Sequence, residues 1–137
     1  MIRKKFCLVG VEYDFEDLIT DHSSNYLGFF TSKKNKFYKN KRKKLGSETL
    51  KDWVKIKKKF NPDVYITVDE GREREILYKK IYKKNYSNVI FDSSYISQTS
   101  KKFLSNKRGI VIQRFVKIMP NVKIYDGVKI NINCQIH

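Results

Sequence analysis

The stretch Gly109–His137, GIVIQRFVKIMPNVKIYDGVKININCQIH, decides the fold. Isoleucine stands at Ile112, Ile118, Ile124, Ile130 and Ile136, six residues apart each time. Two positions before each lies a second apolar side chain: Ile110, Val116, Val122, Val128 and Cys134. Turn-formers and polar residues fill the gaps, as Pro120-Asn121, Asp126-Gly127 and Asn131 with Asn133. A helix needs apolar spacings of three and four, and a lone strand alternates with no longer beat. A period of six fits neither. Short fixed periods mark solenoids, and hexapeptides mark the parallel β-helix. Each hexapeptide then makes one short strand and one corner, with the apolar pair inside and Gly, Asn, Asp or Pro where the backbone turns sharply.

Upstream, apolar runs and helical periodicities alternate. Lys5–Gly10 reads as a buried strand closed by glycine, and Glu12–Asp21 as a short helix. Tyr26–Phe30 is a second strand, and Lys33–Lys44 a basic loop ending at Gly46. Ser47 is placed to cap a helix carrying Leu50, Trp53, Val54 and Ile56. Asn61-Pro62-Asp63 breaks that helix before a third strand, Val64–Val68. Gly71–Lys84 has helical spacing, and Asn88–Phe91 reads as a fourth strand. Alternation of this kind predicts a small parallel sheet with helices on its faces. The expected division is an α/β domain over 1–91 and the start of the repeat over 92–137, with Asp92–Arg108 as an irregular first coil or connector. Ligands of such sheets sit at the carboxyl ends of the strands. Those ends carry Gly10, Thr31-Ser32 and Asp69-Glu70-Gly71.

Composition narrows the class. With 137 residues, 40% hydrophobic, the chain can bury a core. Apolar runs are too short for a membrane span, and the run after the basic N-terminus is too short for a signal peptide. Cys7 and Cys134 each lie in apolar surroundings and read as reduced core residues of a cytoplasmic protein. His22 and His137, the two histidines, form no metal-ligand cluster with them. The formal charge of +16 favours anionic partners, yet Lys-, Asn- and Ile-rich usage also follows from an AT-rich genome, so charge alone decides nothing.

An α/β domain leading directly into hexapeptides resembles the left-handed β-helix acyltransferases that acetylate nucleotide-linked amino sugars or sialic acid. The layout matches along the whole chain. The specific match is Ile118-Met119-Pro120-Asn121-Val122-Lys123-Ile124 and Gly127-Val128-Lys129-Ile130-Asn131, which is similar to the first full coils of that family. The resemblance implies acetyl-CoA as co-substrate, no metal, a nucleotide-sugar acceptor bound partly on the first domain, and a homotrimer built through the β-helix. It implies no membrane partner, a cytoplasmic location and a role in surface-polysaccharide synthesis. Asn131 falls on the asparagine before the family's catalytic motif, and Ile136 on that motif's isoleucine. His137 takes the variable position, and the family's general base would be the next residue. Arg74 matches an arginine common after the third strand, and Gly10 the first glycine of a glycine-rich turn. Val11–Asp14 replaces the rest of that turn, and Thr31-Ser32 stands where the family carries paired acids.

Acetyl transfer from a thioester to an amine needs a base for the amine proton, and histidine titrates in the right range. Backbone N–H groups at coil corners can face the developing oxyanion. The candidate catalytic residue is therefore His137; the candidate substrate-binding residues are Gly10, Thr31, Ser32, Asp69, Arg74 and Asn131. Glu12, Asp14, Glu16 and Asp17 would repel a pyrophosphate at the first helix start. A non-catalytic ligand-binding or trimerisation module is the rival reading. Nucleic-acid binding ranks third, because Phe37 and Tyr38 among the lysines of one loop are not an RNA-binding motif. The regular repeat makes only about one and a half coils, and solenoids need about three repeats and a cap. The expectation is a chain that is part of a longer protein, or one held by partners.

Overall fold

The structure, a computed structural model, describes residues 2–10, 15–32 and 43–137. It divides into two compact units, Met1–Tyr86 and Ser87–His137.

In the first unit, β1 (Phe6–Val9), β2 (Tyr26–Phe30), β3 (Lys44–Gly46) and β4 (Asp63–Ile66) form one sheet in the order β3-β2-β1-β4. Every pairing is parallel. β1 lies between two neighbours and is buried along its length, which is why it reads Phe-Cys-Leu-Val without a polar break. Alternation sends Cys7 and Val9 to one face and Phe6 and Leu8 to the other. On the first face they pack with Phe30, Trp53, Val64, Ile66, Val68, Leu77 and Tyr82. Trp53 and Tyr82 meet edge to face with centroids 5.2 Å apart, so the helices close on the sheet through aromatics.

The helices are α1 (Glu16–Asp21), α2 (Leu50–Phe60) and α3 (Gly71–Ile76), the last continuing as a π-helical turn over Leu77–Ile81. Of the expected first helix, Glu12–Asp21, residues 12–14 lie outside the described residues, as does most of the basic loop, 33–42. The cap of α2 is Thr49, not the expected Ser47: Thr49 Oγ1 accepts from Asp52 N at 3.3 Å. Ser47 lies too far upstream of Leu50 and instead donates its N–H to Asp52 Oδ2 at 2.8 Å. At the other end Asn61 turns left-handed and Pro62 follows, which stops the helix.

The second unit winds as a coil. β5 (Val89–Ile90), β7 (Val111–Ile112) and β9 (Lys129–Ile130) stack in one parallel ladder, and β6 (Tyr95–Ile96), β8 (Lys117–Ile118) and β10 (Gln135–Ile136) in another. Val111 pairs with Lys129 and Lys117 with Gln135, so one turn takes three six-residue periods. The preceding turn is longer because α4 (Gln98–Leu104) replaces its third side. Ser100 Oγ fastens this helix, donating to Met119 O at 2.7 Å and accepting from Val122 N at 3.1 Å. Asp92–Arg108 is thus an ordered first coil, not an irregular connector. The interior holds Ile112, Ile118, Ile124 and Ile130 with Ile96, Leu104, Ile110 and Val116, and Ile136 lies partly buried against them.

Two expectations are corrected. Val89–Ile90 is a rung of the coil, not a fourth strand of the α/β sheet. Asn88 anchors it there, donating to Lys107 O at 2.8 Å and accepting from Ile110 N at 2.9 Å, while β4 gains only a bridge from Val64 to Tyr86. Cys134 is exposed, unlike the buried Cys7.

Candidate functional site

The chain runs from β1 through β2 to β3 on one side of the sheet, then returns to β4 on the other side of β1. The order reverses between β1 and β4, and open α/β sheets bind ligands in the crevice at such a point, beyond the strands' carboxyl ends. Gly10 follows β1 at that point. Its φ of +73° is left-handed, and a Cβ there would lie 3.0 Å from both Thr67 Oγ1 and Val68 Cγ2. The glycine thus lets the turn after β1 approach the end of β4 closely. Gly10 N also donates to Phe30 O at 2.8 Å, and Thr31 N to Gly46 O at 3.1 Å, which keeps the ends of the other strands level with it.

Gly10, Thr31 and Asp69 therefore share the carboxyl edge of one sheet, with Ser32 one step beyond Thr31 and exposed. Thr31 is buried, at 4% exposure. Thr67, which sequence reasoning passed over, is fully buried beside Gly10 and donates from Oγ1 to Val9 O at 3.0 Å. Its signal was the one threonine in the run Val64–Val68.

Arg74 is 5% exposed. Its Nη1 donates to the carbonyls of Ile66 and Val68, the latter at 3.0 Å. Burial lowers its pKa to about 10, a shift that Asp69 partly opposes. These bonds turn the guanidinium onto the chain at the end of β4. Glu70 accepts from Arg72 N at 3.1 Å and Glu73 N at 2.6 Å, so its carboxylate occupies the first amides of α3.

Asn131 and His137 lie in the second unit, both exposed. They occupy successive corners. Gln113 N donates to Ile130 O and Met119 N to Ile136 O, which places Asn131 in line with Gln113 and His137 in line with Met119. The first coil also bears a groove of about 600 Å³ lined by Phe91, Asp92, Tyr95, Gln98 and Lys101 among others. Among the described residues no three His, Cys, Asp or Glu converge to hold a metal ion. No helix there is long and apolar enough to cross a membrane.

A parallel α/β unit running into β-helix coils is the class of fold these elements define. Solved structures share it. Perosamine N-acetyltransferase from Caulobacter crescentus, a mutant in complex with CoA and GDP-perosamine, is similar over 96% of this chain and 62% of its own length, with TM-score 0.74 and 13% identity. PerB from the same organism, with the same two ligands, gives TM-score 0.72. The acetyltransferase domain of PglB from Neisseria gonorrhoeae, in complex with acetyl coenzyme A, is similar over 98% of this chain and 65% of that one, with TM-score 0.69 and 14% identity. The chain thus spans somewhat under two thirds of the length of these structures. Neither protein families nor curated sequences yield a match.

Proposed function

We propose that the chain forms the sugar-nucleotide-recognising unit and first coils of an acetyl-CoA-dependent acyltransferase, one that acetylates an amino sugar carried on a nucleotide. The observation that carries this reading is the joint match of both units, in order, to structures solved with CoA and GDP-perosamine and to one solved with acetyl coenzyme A. In the reaction the sugar nitrogen attacks the thioester carbonyl, the C–S bond breaks as CoA leaves, and a base takes the amine proton. His137, or a residue after it, supplies that base under the resemblance to the family. Gly10, Thr31, Ser32 and Asp69 would line the nucleotide end, Arg74 would hold its wall, and Asn131 would serve the coil end. Sialic acid as an alternative acceptor, the homotrimer, the cytoplasmic setting and the role in surface polysaccharide belong to the same proposal.

The test is calorimetric titration of the chain with GDP- and UDP-linked amino sugars, repeated with Gly10→Val. Saturable binding that the valine abolishes is expected, because its side chain would press on Thr67 and Val68. Absence of binding to every nucleotide sugar would remove the reading. The rival, a module that binds without turning over, is favoured by one observation, the Glu70 carboxylate on the α3 amides where a phosphate would otherwise sit. Binding without acetyl transfer in the presence of acetyl-CoA, by a chain extended beyond His137, would select it.

A further inference from the structure

Helix α2 turns outward a face that the core does not use. Trp53 is buried and Ile56 packs against the core, while Leu50 is 55% exposed and Val54, one helical turn on, 51%. Lys51, Lys55, Lys57, Lys58 and Lys59 are all exposed. Lys43 and Lys44, also exposed, enter the sheet on its edge strand β3, whose Gly46 lies against Asp52 of the helix.

A lysine-rich chain places lysines everywhere, so the contrast with α3 is informative. Arg72 there is interleaved with Glu73 and Glu75, and Lys79 pairs with Glu75 at 2.6 Å. The single carboxylate of α2, Asp52, accepts from Ser47 N. Among the described residues no ion pair holds Lys51, Lys55, Lys57 or Lys58. The face is cationic and aliphatic together, and aqueous solvent offers nothing to Leu50 and Val54.

We propose that α2 is a peripheral docking surface for an anionic lipid bilayer, lying flat with Leu50 and Val54 in the headgroup boundary and its lysines on lipid phosphates. A basic helix with aliphatic side chains on its exposed face binds membranes through both terms. Nucleic acid is less well served. The face has no arginine fork and no free aromatic platform, since Lys59 already covers the Phe60 ring at 5.1 Å. The sequence offers no spanning segment, but surface attachment requires none. The inference is independent of the acyltransferase reading.

The experiment is co-sedimentation of the full chain with phosphatidylcholine vesicles, with and without roughly a third phosphatidylglycerol. Two variants accompany it: Lys51→Glu/Lys55→Glu/Lys58→Glu and Leu50→Ser/Val54→Ser. All five positions are exposed, and an unchanged unfolding midpoint checks each fold. Binding to the anionic vesicles alone is expected, falling about tenfold or more in the charge variant and roughly threefold or more in the serine variant. No sedimentation with anionic vesicles overturns the proposal, as does sedimentation that neither variant alters. If the serine variant binds like the parent, and an oligonucleotide competes fully, the face is a polyanion site and the lipid assignment falls.

Discussion

Arg74 shows how a side chain singled out for binding can act on the scaffold. Two strand-end carbonyls accept from it in a buried setting, with the Asp69 carboxylate nearby. Arg74→Met removes those donors and leaves the carbonyls without them. The expected loss is about 2–3 kcal/mol, read by urea unfolding. A ligand contact alone would leave the midpoint unchanged. The cysteines give a second residue-scale prediction. Cys7 is buried, which pushes its thiol pKa up, while Cys134 is exposed. A thiol reagent should therefore modify one cysteine in the native chain and both in denaturant, counted by mass. The sequence placed both inside because each has apolar neighbours, and neighbours in sequence do not report which side chains the fold covers.

At the scale of elements the coil corners follow a rule that composition half disclosed. Gly109, Phe115, Asn121, Gly127 and Asn133, six apart, all have positive φ between 57° and 74°. Glycine and asparagine accept this region readily, whereas a phenylalanine is strained there. Phe115 is also 60% exposed, so little packing offsets the strain. Phe115→Gly is expected to stabilise the chain by about 0.5–1 kcal/mol, visible as a raised thermal midpoint. Ile118 is the opposite case, fully buried on the central strand of its ladder. Ile118→Ala should cost about 2–5 kcal/mol, and a loss under about 1 kcal/mol would contradict a packed coil interior. The sixfold isoleucines were legible because each turn repeats one interior. The edge strand β3 and helix α4 were not, since Lys44–Gly46 is only three residues long, and α4 breaks the period by replacing one side of a turn.

At the scale of the whole molecule, a core of aromatics under a parallel sheet and a core of isoleucines inside a coil follow one another along the chain. The proposed trimer makes a measurable claim here. Association that accompanies folding makes the thermal midpoint rise with protein concentration, and a midpoint independent of concentration would count against assembly through the coil. The carboxyl edge of the first unit's sheet was legible in part. Gly10, Thr31 and Asp69 follow apolar runs and so mark strand ends in any parallel sheet. That Thr67 joins them depended on β4 lying beside β1, a pairing between residues far apart in sequence.

By itself the sequence determined what repeats locally: the sixfold beat, the alternation of strands and helices, and the corners that need Gly or Asn. Period and turn chemistry act over a few residues, so they can be read from a few residues. Tertiary structure alone decided that Val89–Ile90 joins the coil, that Arg74 turns onto the end of β4 and that Cys134 faces solvent. Each of these depends on which distant segment supplies the neighbouring hydrogen bonds or covering atoms, and hydrophobic patterning is the same whichever segment does so.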